Sequence, residues 1–378
     1  MIFLSQNTIN TKFLEEICNA FGPSGFETQV QTIIHNYGKQ FADEVLFDRL
    51  GSVIFKRGSN GPKIMLAGHS DEIGFIISEI VESGFLKISN IGGWWSQTLL
   101  NTQLLIKPFK GEEKIIGIIT AKPPHILSSE ERNKVVELKQ MFVDIGCNSK
   151  EEVEALGLRI GDPAIPYGSF RTMKRTRKEK KDGKSEEREV NLAVSKAFDD
   201  RIGAFIVTEV LRRLFEENID HPNTIYSVSS TQEEIGLRGA RTSAQMIQPD
   251  IGFALDVDIS GDVPGTTGIV QKMGQGVSIS AMDGSMIPNP IFRKFVIEVA
   301  EEEKIKWQPA FLPAGGTDAG IIHLTGIGAP SIFIGVPTRH IHSHHSMLDL
   351  DDVQQAVNLL IAVIKRLDKE KLKEFITL

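Results

Sequence analysis

KIMLAGHSDE, Lys63 to Glu72, is a short apolar run that breaks abruptly into glycine, histidine, serine and two acids. Lys63 to Ala67 lacks the polar alternation of a half-exposed strand, so it reads as a strand buried on both faces. Such strands belong to parallel sheets clad by helices. The break places His69 and Asp71 just beyond the strand's carboxyl end, where open α/β sheets bind ligands.

The segments on either side agree. Thr11 to Phe21 spaces Phe13, Leu14, Ile17 and Ala20 as a helix does and stops at the breaker Gly22-Pro23-Ser24-Gly25. A second helix is expected from Glu27 to about Phe41, then a hairpin from Val45 to Phe55 around Leu50-Gly51-Ser52. After Asn191 the spacing predicts a helix at Arg201–Phe215 and strands at Thr224–Ser230, Ile251–Val257 and Ser331–Val336, with a helix at Asn289–Glu303. A last helix starts after Asp349/Asp351 and carries Val353, Val357, Leu360, Ile361, Ile364 and Leu367 on one stripe. The expected fold class is α/β, a mostly parallel sheet with helices on both faces.

Between these halves the texture changes. GFIISEI, GFLKI, TQLLIKP, KIIGIIT and MFVDI are short β-like runs separated by turn residues, with a charged helical piece at Ser128–Leu138. They predict a small β-barrel inserted at 73–166 between catalytic-domain segments 1–72 and 167–378. Arg171 to Glu189 holds nine Lys/Arg and five Asp/Glu, cannot enter a core, and is expected as a solvated loop or hairpin tip.

The chain has 378 residues, 41% hydrophobic and 24% charged, with 42 basic and 49 acidic residues and a net charge of −7. This is a folded chain, and its mild acidity argues against nucleic acid as a partner. No apolar run has bilayer length, and Met1 to Lys12 lacks the pattern of a signal peptide. Two distant cysteines, Cys18 and Cys147, suit a reducing cytoplasm and exclude a cysteine zinc knuckle.

The chemistry-bearing residues gather at strand ends. His69 and Asp71 follow one strand, Glu233-Glu234 a second, Asp256 ends a third and His342 comes soon after a fourth, while Asp199-Asp200 enter a helix. Imidazoles and carboxylates together suit Zn²⁺, Co²⁺ or Mn²⁺. Carboxylates crowd at high cost without a cation, and five good donors fit two metals sharing one carboxylate. Read alone, His69 passes for a core histidine, Asp199-Asp200 for a helix cap and Glu233-Glu234 for a solvated pair. Asp71 two residues on, placed to hold the second ring nitrogen, turns His69 into a ligand candidate. Asp258 rivals Asp256, and spacing does not choose among His340, His342, His344 and His345. Gly315-Gly316-Thr317-Asp318-Ala319-Gly320 lacks a phosphate-loop lysine and suits close backbone approach to a substrate or neighbouring subunit. HExxH, Walker, GxGxxG and GxSxG motifs are missing.

In order, GHSDEIGF, KAFDDRIGA, TQEEIGLRGA, ALDVDISGDVPG, GGTDAG and RHIHSHHSMLDLDDV resemble the co-catalytic metallo-aminopeptidases that form tetrahedral dodecamers. That family includes glutamyl and leucyl types and proteins labelled endoglucanase M. PSGFE at 23–27 and the middle-segment runs KPPHILSSEER and MFVDIGCNSKEEVEALGLRIGDPAIP share the likeness. The resemblance implies that His69 and Asp256 hold one metal, Glu234 and His342 the other, and Asp199 bridges them. It implies Glu233 as general base, Asp71 as the orienter of His69, and Gly316, Thr317 and Asp318 on the substrate side. It further implies two Zn²⁺ or Co²⁺ (Mn²⁺ as a third option), short peptides as substrates, and dimers through the barrel building a dodecamer. Two rivals stand beside it. A glycoside hydrolase needs two carboxyls and no metal, and a spent metal-binding scaffold needs no turnover.

Overall fold

The structure is a computed structural model describing residues 8–111, 113–181 and 184–377. The expectation for Met1–Lys12 falls partly on residues 1–7, outside the described residues, as do residues 182–183 of the charged stretch. In chain order the strands are β1 (Glu44–Phe47), β2 (Val53–Arg57), β3 (Lys63–His69), β4 (Gly74–Ile80), β5 (Leu86–Ile91), β6 (Gln103–Ile106), β7 (Ile115–Thr120), β8 (Phe142–Asp144) and β9 (Pro163–Pro166). There follow β10 (Arg171–Lys181), β11 (Lys184–Ser195), β12 (Thr224–Ser230), β13 (Ile251–Ile259), β14 (Val277–Asp283), β15 (Trp307–Leu312), β16 (Ser331–Thr338) and β17 (Ser346–Asp349).

Eight of them form one sheet in the order β1-β2-β12-β3-β13-β16-β14-β15. Its centre, β12-β3-β13-β16, is parallel. β1 and β2 join as the expected hairpin, and β14 runs antiparallel to β16. Alternate residues of the central strands face different cores. Ile64, Leu66, Phe253, Leu255, Ile332 and Ile334 pack under Phe198–Glu216, Leu350–Arg366 and the N-terminal helices. Met65, Ala67, Tyr226 and Val228 meet Ala240, Ala244 and Ile247 of Arg238–Ile247 on the other face. This two-sided burial is why these strands read as apolar runs.

β4-β5-β8-β7-β6-β9 close into a barrel around Phe75, Ile77, Leu86, Leu104, Ile106, Ile119 and Val143. The charged helical piece is shorter than expected, a single turn at Ser129–Arg132 followed by a 3₁₀ turn at Leu138–Gln140. With no apolar stripe, only its Ser128/Glu131 capping box supports a helix.

Of the two forms expected for the charged stretch, the described residues take the hairpin and not the loose loop. Described residues of 171–189 are paired strands, β10 on β11, and β11 continues onto β17. Met173, Val190, Leu192, Met273 and Met347 pack at its base. Arg177 donates to the Met273 carbonyl at 3.0 Å, and Arg188 pairs with Asp351. Charged side chains on an exposed ribbon hide the period-2 pattern, so the sequence shows polarity but not pairing.

Candidate active site

The carboxyl ends of β3, β12, β13 and β16 converge with the first turn of Phe198–Glu216. Their approach depends on paired glycines: a Cβ on Gly68 of β3 would lie 2.1 Å from the backbone of Gly203, so only glycine lets strand and helix touch there. The contact brings Asp199 and Asp200 over the end of β3. The Asp199–Asp200 peptide is cis.

His69 is 2% exposed, with Nδ1 3.1 Å from the Asp71 backbone oxygen and 3.3 Å from Asp71 Oδ1. Its Nε2 faces three carboxylates, at 3.3 Å from Asp199 Oδ1, 3.7 Å from Glu233 Oε2 and 3.9 Å from Asp256 Oδ2, yet has no aligned hydrogen-bond partner. The other oxygen of Asp199 meets His342 Nε2 at 3.2 Å, and Glu234 Oε2 stands 3.9 Å from the same nitrogen. Glu234 Oε1 is buried without a partner.

Asp71 organises the floor. Its carboxylate accepts the Ser24 hydroxyl at 2.6 Å and the backbone N–H groups of Glu233 at 3.0 Å and Glu234 at 3.2 Å. One side chain therefore touches the His69 ring and the turn bearing both glutamates. Gln232 and His342 have φ of 55° and 52°, left-handed values that non-glycine residues adopt at a cost and that cluster at functional sites.

The barrel reaches in at Gly93, whose carbonyl lies 2.8 Å from His342 Nδ1. A Cβ on Gly93 would sit 3.2 Å from that nitrogen, a tight contact that the ring would have to yield to by a few tenths of an ångström. His344 packs against Trp94, and His345 lies against Gly168. Thus His342 is the tract histidine that meets Asp199. Asp258, the rival of Asp256, has Oδ1 on the Ile259 N–H and Oδ2 on Gln271 Nε2.

The structure also adds residues. Asp200 lies near His69 and Asp256, but its oxygens are taken by the N–H groups of His69 at 3.0 Å and Gly203 at 2.7 Å, so it braces the turn. The capping role read from the Asp pair thus falls to Asp200, leaving Asp199 to the crevice. Ser24 lay in the PSGFE run that carries part of the family likeness but had no role assigned, and Gly93 gave no signal, because their roles depend on long-range contacts. Gly316 and Thr317 line the crevice; Asp318 stands behind, accepting the Ser230 hydroxyl at 2.7 Å.

Electrostatics show what the crevice demands. Burial pushes Glu233 well above the usual carboxylate range; His69 draws it down, but Asp318, Asp256 and Glu234 push it further up. Burial and Asp199 raise Glu234 to about 8. Burial would lower the His69 pKa, but Glu233, Asp71 and Asp199 outweigh it and hold the ring well above its ordinary value. Carboxylates that retain protons beside imidazoles that also retain them mark a pocket short of positive charge. The orphaned His69 Nε2 and Glu234 Oε1 flank Asp199, so the donors fit divalent cations by both type and need.

A mixed sheet with a crevice at its carboxyl edge and a barrel at its rim is shared with peptide hydrolases. The chain belongs to the M42 glutamyl aminopeptidase family, whose model matches residues 51–359. A TET aminopeptidase from the marine sediment archaeon Thaumarchaeota archaeon SCGC AB-539-E09 superposes with a TM-score of 0.90 at 46% identity, covering 97% of this chain and 99% of that one. The TET1 peptidase of Pyrococcus horikoshii, described as assembling into a tetrahedron or a large octahedral shell, gives 0.79 at 28% identity over 94% of this chain and 99% of its own. The lysyl aminopeptidase of Pyrococcus furiosus is 31% identical over 95% of this chain and 98% of its own. Among the described residues no helix is long and apolar enough to cross a membrane.

Proposed function

We propose that the protein is a metal-dependent aminopeptidase that removes N-terminal residues from short peptides. The observation that carries this is the pair of orphaned donor atoms, His69 Nε2 and Glu234 Oε1, on either side of Asp199. His69 and Asp256 would hold one divalent cation, Glu234 and His342 the other, with Asp199 shared. The mixed nitrogen and carboxylate set suits Zn²⁺ or Co²⁺, with Mn²⁺ as a third candidate. When bound, such a pair supplies Lewis acidity toward a scissile carbonyl and an attacking water.

Glu233 is the general base: it takes the water's proton and returns it to the leaving amine. It is spare for this task because Glu234, its neighbour on the turn, is the assigned ligand. Asp71 keeps the His69 ring in place and holds the N–H of the base through one carboxylate. The crowd of carboxylates attracts the substrate's free α-ammonium, which restricts cleavage to N-termini. Gly316 and Thr317 admit the substrate backbone, with Asp318 behind them.

The barrel at 73–166 serves self-association in this reading, and 1–72 with 167–378 serves catalysis. Ile116 and Ile118 of β7 are 47% and 44% exposed on the barrel's outside, which suits burial against a second copy. The tetrahedral or octahedral shells described for the Pyrococcus horikoshii relative, and the dodecamer described for a structure 27% identical to this chain, support self-association into a closed shell, here read as dimers building a dodecamer. A cytoplasmic location goes with this assignment.

The test is elemental analysis of the purified protein combined with hydrolysis of aminoacyl 4-nitroanilides before and after chelation. Expected are bound divalent metal, loss of activity on chelation and recovery with Zn²⁺ or Co²⁺. Anilide hydrolysis that survives complete metal removal refutes the proposal. Chelator-resistant cleavage of a polysaccharide would favour the glycosidase rival.

A further inference from the structure

From the crevice wall, we propose that the pocket receiving the substrate's N-terminal side chain selects neutral aliphatic residues, of the leucine and methionine class. This rests on the aminopeptidase reading and deepens it. Family membership does not decide the point, since the family bears a glutamyl name and the Pyrococcus furiosus relative a lysyl one.

The crevice has a volume of about 340 Å³. Beyond the proposed cation ligands and the base, its wall is mainly apolar: Val257 and Ile259 at the end of β13, Leu312 ending β15, Ala314 just after it, Phe333 of β16, and Ile341, with Thr317 and Asp258 the polar members. Gly315 and Gly316 add no side chain. Among the described residues that line it, none is Lys or Arg. A glutamate or aspartate side chain would enter beside Asp256 and Glu233 with no Lys or Arg to pair it, and an unpaired buried carboxylate is expensive.

A lysine side chain needs an open carboxylate, and the wall does not offer one. Asp258 is 2% exposed, with its oxygens held by the Ile259 N–H at 2.8 Å and by Gln271 Nε2 at 3.0 Å. The remaining lining carboxylates, Asp199, Glu233 and Asp256, are committed to cations and proton transfer. An aliphatic side chain leaves no polar group unpaired and covers apolar wall, which favours it in the transition state by differential burial.

The experiment compares kcat/KM for the 4-nitroanilides of leucine, methionine, alanine, glutamate and lysine on the full chain. Leucine and methionine should exceed glutamate and lysine by about tenfold or more. Glutamate or lysine equal to or above leucine overturns the proposal. If none of the five is cleaved, the aminopeptidase reading itself fails and takes this inference with it. Two wall variants, Leu312→Arg and Ile259→Arg, add the missing counter-charge from different strands. Each should raise the glutamate-to-leucine ratio by about tenfold. Damage to folding lowers both rates together and leaves that ratio alone, so an unchanged ratio in both variants refutes the assignment of the wall.

Discussion

Replacing Arg201 by methionine tests how the site-bearing turns are held together. The Arg201 side chain is fully buried beneath Asp199 and Asp200. It donates to the carbonyls of Ser70, Ile17, Ala20 and Gly22, and its Nη2 lies 3.1 Å from Glu72 Oε1. Lys196 completes the cluster, with Nζ 2.8 and 2.9 Å from the two oxygens of Glu72. Methionine fills much of the volume but takes the side-chain donor from the Ser70 carbonyl, leaves Ile17, Ala20 and Gly22 only their donors from Ala20 N–H, Lys196 and Glu72 N–H, and leaves Glu72 with one cation in place of two. Removing one partner of a buried pair costs about 3–5 kcal/mol. With an unfolding entropy of about 2.1 cal/mol/K per residue over 378 residues, ~0.8 kcal/mol corresponds to one degree, so the Tm should fall by ~4–6 °C. Arg201→Lys retains charge but not the fork that reaches several carbonyls, and should fall between the two. Scanning calorimetry of metal-depleted protein measures this directly. A drop below ~1 °C for Arg201→Met, or Arg201→Lys indistinguishable from wild type, would refute the reasoning that this fork binds the turn 69–72 to the turn 196–201.

Three further outcomes are expected. Glu233→Gln should keep its metal content while kcat falls by roughly 10²–10⁴, because the amide has no basic oxygen for the proton; wild-type kcat would remove Glu233 from that role. Gly93→Val should push the His342 ring aside, lowering bound metal and kcat together with little change in far-UV circular dichroism. Unchanged metal content would show that the barrel carbonyl does not orient the ring. Chelated protein should lose stability as pH rises. Burial and Asp199 raise Glu234 from 4.5 to about 8, so the folded state binds the extra proton and its contribution is lost across that window. Burial opposes, but the Asp199 carboxylate overrides it and lifts His342 from 6.5 to about 10, so that its contribution, present below 6.5, is likewise lost on the way up. Tm should therefore decline from about pH 5 to about 8.5, and added Zn²⁺ should flatten the decline. A chelated Tm that climbs through this range contradicts the assignment.

The central strands were legible because burial on both faces writes an uninterrupted apolar run; Thr224–Ser230 is matched end to end. The β14-β15 side of the sheet was not. β14 and β15 carry polar or proline-bearing runs, VSISAMD and WQPAFL, and give no comparable signal. β10 was hidden by its own charge, since a ribbon held by backbone pairing and a small methionine cluster needs few apolar residues. At the site, residue types at strand ends pointed to the crevice, and the family likeness singled out His342 among four histidines. The division of labour between Asp199 and Asp200, the Ser24 hydroxyl on Asp71 and the Gly93 carbonyl on His342 depend on contacts across many residues, which local patterns do not encode.

That carbonyl has a bearing on how such a protein can be re-engineered. The barrel looks like a detachable accessory, yet its rim finishes the seat of a histidine borne by the other part of the chain. Excising it, or grafting one from a relative, would be expected to blunt the catalyst even where the remaining sheet folds soundly, unless the Gly92-Gly93 turn is transplanted in register with its imidazole.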